Sequence, residues 1–255
     1  PDGHHGLGAV NWVEFNTAND ILSDANVRKA IALAIDRDFI TDTLMQGIFE
    51  AAPSPIAPSS PFFNAGIETY DLDVETARGL LADAGYADGD ISLEIDYIPG
   101  PDAIQKNIAE YIVQALEDVG IDLSLRVSPD FPTWAGRISS GDFDMTMNNV
   151  WNWGDPVIGV HRTYLSSNRV GVIWTNNTDY ENAEVDALLD QAGQAVDLDE
   201  RIALYADFQD LVAADLPIYW LNNTTFWQAS PADMQNPPLG IWGTMSPMHE
   251  IWLDR

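Results

Sequence analysis

An α/β fold is expected from three observations. Segments rich in β-formers alternate with amphipathic helical segments, the order that builds sheets with some parallel pairing. Hydrophobic residues make up 46% of the 255, ample for a core. Glycines at 47, 85, 120 and 141 punctuate the periodic stretches, so each element has a stop signal.

The elements follow in order. Residues 9–16, AVNWVEFN, partly alternate and are rich in β-formers, and read as a strand. Asp24 or Asn26 can cap a helix that runs to Gly47, with Val27, Ile31, Ala34, Ile35 and Ile40 as its apolar stripe. Pro53, Pro55, Pro58 and Pro61 remove backbone donors, so residues 51–66 read as an ordered surface loop. A second helix spans 71–84, capped by Asp73, with Leu80 and Leu81 facing inward and Gly85 closing it. Residues 91–98 alternate and read as a strand, and 103–119 form a helix whose Ile104, Ile108, Ile112, Ala115 and Leu116 share a face. A strand at 121–127, a short helix at 132–140 and a strand at 143–150 come next. Two more helices, 181–195 and 199–214, precede a strand at 217–222. The last thirty residues carry Trp, Pro and Met without a clear period.

Charge narrows the partners. Forty acidic residues against 11 basic ones leave a formal net charge of -29. Such a surface repels phosphate backbones and anionic lipid, which argues against nucleic acid or membrane partners. The carboxylates are dispersed, as on a solvated acidic surface suited to a salty medium; a cationic ligand is the sharper alternative. There is no cysteine, so disulfides, thiolate metal sites and cysteine nucleophiles are excluded. No apolar run is long enough to span a bilayer. The chain opens Pro1-Asp2-Gly3 without a leader pattern, and its start is read as a product of processing or truncation.

Several pieces, taken together and in order, resemble the large solute-binding proteins of bacterial ABC importers, family 5, which includes dipeptide- and oligopeptide-binding proteins. They are "FNT", "VRKAIALAIDRDFI", "YDLDVETARGLLADAGY", "ISSGDFDMTM", "YENAEVDALLDQA" and "LPIYW". The resemblance covers residues 9 to 222. It implies a periplasmic-binding-protein-like lobe, a mixed sheet flanked by helices, forming the second lobe of a two-lobed clamshell. On that reading residues 1–16 are a hinge strand and remnant of the first lobe, 17–216 the second lobe, and 217–255 the second hinge crossing and a C-terminal piece of the first lobe. Asn16, Thr17 and Trp220 then mark the hinge, and the rest of the first lobe lies outside this sequence. The implied setting is the periplasm or the extracellular face of a bacterial membrane, with ABC permease subunits as partners and no cofactor.

The densest group of candidate contacts is Asn148-Asn149-Val150-Trp151-Asn152-Trp153-Gly154-Asp155-Pro156. It follows an expected strand, and ligands of open α/β sheets bind at the carboxyl ends of strands. Tryptophan offers a stacking face and asparagine orients hydroxyls or amides. The bland reading makes one tryptophan core and Asp155 a helix cap. Peptide-binding members of the resembled family place an aspartate shortly after a tryptophan here, to pair with the peptide amine. In this chain Asn152 or Trp153 falls at that place, so a peptide is the default solute and a sugar, opine or other solute its rival. Arg162 can hold a ligand carboxylate in two hydrogen bonds or serve in an ordinary ion pair. Trp134 and Trp174 are further candidates for the cleft, each with a core alternative. Trp220, Trp227, Trp242 and Trp252 are expected to line the hinge or seal against the other lobe.

Other signals are weak. His4 and His5 lack the spaced partners of a metal site and read as loop residues. The acidic stretches lack a calcium-loop register, and no P-loop, nucleophile elbow or dinucleotide motif is present. A glycoside hydrolase is the rival from another class, since tryptophans with paired carboxylates are its tools. Nothing in the sequence singles out such a pair, so no catalytic residue is assigned.

Overall fold

The computed structural model describes residues 4–100, 103–226, 229–238 and 248–254. A six-stranded sheet organises the chain in the order β2-β6-β1-β5-β3-β4. Its strands are β1 (His4–Phe15), β2 (Glu50–Ala51), β3 (Ile91–Asp96), β4 (Ile121–Leu125), β5 (Met145–Trp151) and β6 (Ile218–Phe226). β3 runs parallel to both β4 and β5, whereas β1 is antiparallel to β5 and β6. The sheet is therefore mixed, and helices flank it, as the resemblance implies. His4 and His5, expected in a loop, begin β1.

The helices are α1 (Ala25–Ala34), α2 (Val74–Asp83), α3 (Ile104–Glu117), α4 (Phe131–Ser139), α5 (Pro156–Tyr164), α6 (Ala183–Gln194) and α7 (Leu198–Asp215). Most start on a side-chain cap that the sequence announces. Asp24, Asp73, Asp130, Asp155, Asn182 and Asp197 each accept a backbone N–H from the first turn. α1 packs on α2 and α6 on α7. One apolar core joins the sheet to these helices, with Trp12, Phe15, Tyr205, Phe208 and Tyr219 among its largest buried side chains.

Two expectations fail here. The helix read as continuous to Gly47 ends at Ala34, because Ile35 is extended and the Asp36 carboxylate caps a fresh turn through Phe39 N–H. A short π-helical segment, Phe39–Leu44, follows it. Residues 51–66 are ordered but do not merely cover the surface. Ala52, Ser54, Ile56 and Phe62 are buried, and the Gln209 amide of α7 bonds the Phe62 carbonyl at 2.9 Å and accepts from Ser54 Oγ at 2.7 Å. The apolar residues between the prolines supply that burial.

β7 (Met234–Gln235) and β8 (Trp252–Leu253) form a separate two-stranded ladder, with Trp252 exposed. Trp227 and Trp242 lie outside the described residues. The end of β1 is tied down at both sides: Asn16 Nδ2 donates to the Phe143 carbonyl at 2.8 Å, and Thr17 N and Oγ1 both donate to the Thr178 carbonyl at 2.8 Å.

Candidate functional site: an aromatic cavity at the strand ends

The carboxyl ends of the parallel strands β3 and β5 open onto one cavity of about 370 Å3, lined by Ile98, Phe131, Asn149, Val150, Trp151, Trp153, Arg162 and Trp174. This is the place where α/β sheets present ligands. β5 delivers Asn149 to Trp151 directly. The chain then turns back, with Asp155 N–H bonded to the Asn152 carbonyl at 3.0 Å. Trp153 and Gly154 hold positive φ of 53° and 84° across that turn, as in a type I′ turn. Glycine adopts that conformation freely, but a tryptophan there is strained, and such strain gathers at functional sites. Trp174 is also left-handed, at φ 60°.

The aromatic rings form two groups on the cavity wall. Trp151 and Trp153 stand 5.2 Å apart, ring centre to ring centre, at 55°. Phe131 bridges Trp174 at 5.9 Å and the deeper Trp134 at 5.6 Å. Trp151, Trp153 and Trp174 are half-buried, and all three line the cavity.

The expected site residues divide. Asn149, Trp151, Trp153 and Arg162 line the cavity. Trp134 does not: it is 0% exposed, and its indole N–H donates to Thr146 Oγ1 at 3.0 Å, so it supports Phe131 from below. Asn152 is likewise buried, its amide bonded to the Pro55 carbonyl at 3.0 Å. Asp155 is a structural residue. It caps α5 through Val157 N–H and receives both terminal nitrogens of Arg201, at 2.7 and 3.0 Å. His161, beside Arg162 in sequence, points elsewhere and contacts Tyr205 Oη at 2.9 Å.

Behind the wall runs a buried polar relay that the sequence did not flag. Trp174 Nε1 donates to Asn148 Oδ1 at 3.1 Å, and Asn148 Nδ2 donates to Glu14 Oε1 at 2.9 Å. Trp12 Nε1 donates to the same Glu14 oxygen at 2.9 Å, while Oε2 has no partner among the described residues. Burial pushes the Glu14 carboxyl up to about 7, against the opposing donors from Trp12 and Asn148. An acid at an alternating position between Val13 and Phe15 is the one available sequence signal. Phe131 and Ile98 were also missed, since each sits at an element boundary without a motif. Trp220 of β6 is buried and donates to Tyr164 Oη at 2.9 Å, which ties β6 to the end of α5.

Residues 6–171 match the family model described as "Bacterial extracellular solute-binding proteins, family 5 Middle". The chain belongs to this family. Among curated proteins it is 29% identical over 221 residues to heme-binding protein A of Haemophilus influenzae, covering 82% of this chain and 38% of that one. It is 27% identical to the nickel-binding periplasmic protein of Escherichia coli, covering 92% and 47%, and 24% identical to the oligopeptide-binding protein OppA of Bacillus subtilis, covering 83% and 39%. It thus spans less than half the length of these relatives. In fold it is similar to the oligopeptide-binding protein AppA of Bacillus subtilis in complex with a nonapeptide, with a TM-score of 0.85 at 20% identity over 98% of this chain and 51% of that one. It is also similar to DppA of Helicobacter pylori in complex with the peptide STSA, with a TM-score of 0.84 at 23% identity over 100% and 48%. No helix among the described residues is long and apolar enough to cross a membrane.

Proposed function

We propose that this chain forms one wall of the solute cleft in the substrate-binding component of a bacterial ABC importer, working outside the cytoplasmic membrane with permease subunits as partners. The carrying observation is the aromatic cavity at the carboxyl ends of β3 and β5. A solute laid against Trp151, Trp153 and Trp174 displaces water from apolar faces, and Asn149 orients it. A peptide is the default solute, since relatives named for dipeptides and oligopeptides recur; heme and nickel in the names of other relatives keep the class open.

In this reading residues 17–216 are the second lobe, and Asn16, Thr17 and Trp220 flank the hinge strands β1 and β6. The first lobe, apart from segments 1–16 and 217–255, belongs to a longer polypeptide. Closure is a population shift: the solute binds the closed form more tightly because only there do both walls lose water. No chemical step is involved.

Calorimetric titration with a mixture of di- to pentapeptides tests this. Binding is expected to be tight in the two-lobed polypeptide and weak in the present chain, because a single wall recovers little of the cost of association. Trp151→Ala and Trp153→Ala are each expected to lower the affinity of the two-lobed form by more than ~1 kcal/mol. Equal affinities of the two forms, or no effect of either substitution, would overturn the assignment.

A further inference from the structure

Arg162 differs from every other arginine among the described residues. Arg28 and Arg78 bond backbone carbonyls. Arg37 pairs with Asp71, Arg126 with Asp142, Arg137 with Asp96, Arg169 with Asp179 and Glu181, and Arg201 with Asp155. In a chain with 40 acids and 11 bases that outcome is expected by encounter alone. Arg162 has neither an ion pair nor a hydrogen bond among the described residues. Burial lowers its pKa from the ordinary arginine value, and no acidic neighbour opposes the shift.

The cavity it faces is equally unusual for this protein, because none of its lining residues among the described ones is acidic. Two nearby carboxylates are turned away from it. Asp155, at the other end of α5, is held by Arg201, and Glu14 lies behind Asn148. Arg162 sits in the last turn of α5, between the buried anchors Val160 and Tyr164, so its Cα is fixed while its side chain lines the cavity.

We propose that the cavity takes an anionic solute, an apolar or aromatic body against Trp151, Trp153 and Trp174 with a carboxylate on the Arg162 fork, and that it needs no cationic group on that solute. This rests on reading the cavity as the solute site. The chemistry favours it in three ways. A guanidinium matches a carboxylate with two parallel hydrogen bonds, stronger than neutral ones. An ammonium group would meet a like charge at Arg162 and, among the described lining residues, no carboxylate to hold it. The repulsive field of the acidic surface is screened beyond roughly 8–10 Å in physiological salt, so the local charge of the cavity decides the choice of ligand.

The test uses three probes with one body: 3-phenylpropionate, 3-phenylpropionamide and 3-phenylpropylamine. Their binding is followed through tryptophan fluorescence across the micromolar to millimolar range, in wild type, Arg162→Gln, Arg162→Lys and Trp151→Ala, with circular dichroism confirming the fold. The acid is expected to bind about tenfold or more tightly than the amide or the amine. Arg162→Gln is expected to bring the acid down to the amide and leave the amide unchanged, with Arg162→Lys in between. Equal binding of acid and amide, an acid indifferent to Arg162→Gln, or an amine bound best would overturn the proposal. If those probes nevertheless lose affinity in Trp151→Ala, the cavity remains the solute site and only its charge preference is wrong. Probes that bind regardless of Trp151→Ala overturn both readings; an acid that fails to bind up to millimolar concentration overturns this proposal, and the solute-cleft reading then stands or falls on its own peptide titration.

Discussion

Asn148 stands between Trp174 and Glu14, accepting from the indole at 3.1 Å and donating to the carboxyl at 2.9 Å. One side chain therefore connects the aromatic wall to the central strand of the sheet. Asn148→Ala leaves the Trp174 indole N–H without its partner and strips Glu14 Oε1 of one of its two donors, the other being Trp12, and is expected to destabilise the fold by about 1–2 kcal/mol. It also frees Trp174, so probe affinity should fall although Asn148 does not line the cavity. Denaturant titration and a binding titration on the same variant check both outcomes.

Glu14 gives a pH signature. Its carboxyl is raised from 4.5 to about 7 in the folded state, chiefly by burial. The folded protein then holds the proton more tightly than the unfolded chain does. The contribution is fully present below pH 4.5, declines as pH rises through about 7, and is constant above that. Glu14→Gln should flatten the stability curve relative to wild type across this window by roughly 3 kcal/mol. Denaturant unfolding of both proteins at about pH 5 and about pH 8 measures the difference; parallel curves would show that Glu14 titrates normally.

Asp155 is expected to matter for stability more than for solute contact. It caps α5 and pairs with Arg201 near the start of α7. Burial alone would raise its pKa, but the Arg201 guanidinium and the Val157 N–H outweigh it and hold the carboxyl below its usual range. That contribution is present at neutral pH and is lost as pH falls. Asp155→Ala should cost about 1–2 kcal/mol at neutral pH, most of it from the lost cap, since the carboxylate is 42% exposed and the pair is partly screened. Thermal unfolding gives the cost, and an unchanged probe affinity separates Asp155 from the site.

Gly159 is the tightest backbone approach beneath the cavity. A Cβ there would lie 2.2 Å from Asn152 Oδ1, 2.8 Å from Val150 Cγ2 and 3.0 Å from the Trp151 carbonyl. The last of these is backbone and cannot rotate away. Gly159→Ala should therefore destabilise by about 2 kcal/mol through overpacking, and should shift the Trp151–Trp153 turn. Unfolding and the tryptophan emission spectrum report the two effects.

The Asp24 and Asp73 caps were readable in the sequence because capping depends on residues a few positions apart. The break after Ala34 was not, since Val27 through Ile40 keeps a helical period and only the three-dimensional setting of Asp36, whose N–H donates to Tyr111 Oη at 2.9 Å, favours the turn. The burial of Ser54 and Phe62 was hidden for the same reason: their partner on α7, Gln209, is far along the chain, at separations of 155 and 147. At the site, the cluster Asn149, Trp151 and Trp153 was legible because it follows a strand. The roles of Trp134 and Trp174 were not separable, since both are tryptophans near helix or loop boundaries. Asp155 and Arg162 show the limit most clearly. Composition predicts that any arginine here will meet an acid; only the coordinates show that Arg201 takes Asp155 and leaves Arg162 facing the cavity.

The central strand β1 has a consequence for biogenesis. Its neighbours, β5 and β6, lie more than a hundred residues downstream in the chain, and Asn11 meets Thr224 across a separation of 213. As a polypeptide emerges from its N-terminal end, one hydrogen-bonding edge of β1 stays open until Met145–Trp151 follows and the other until Ile218–Phe226 follows. Such long-range closure slows folding and exposes an apolar strand to self-association.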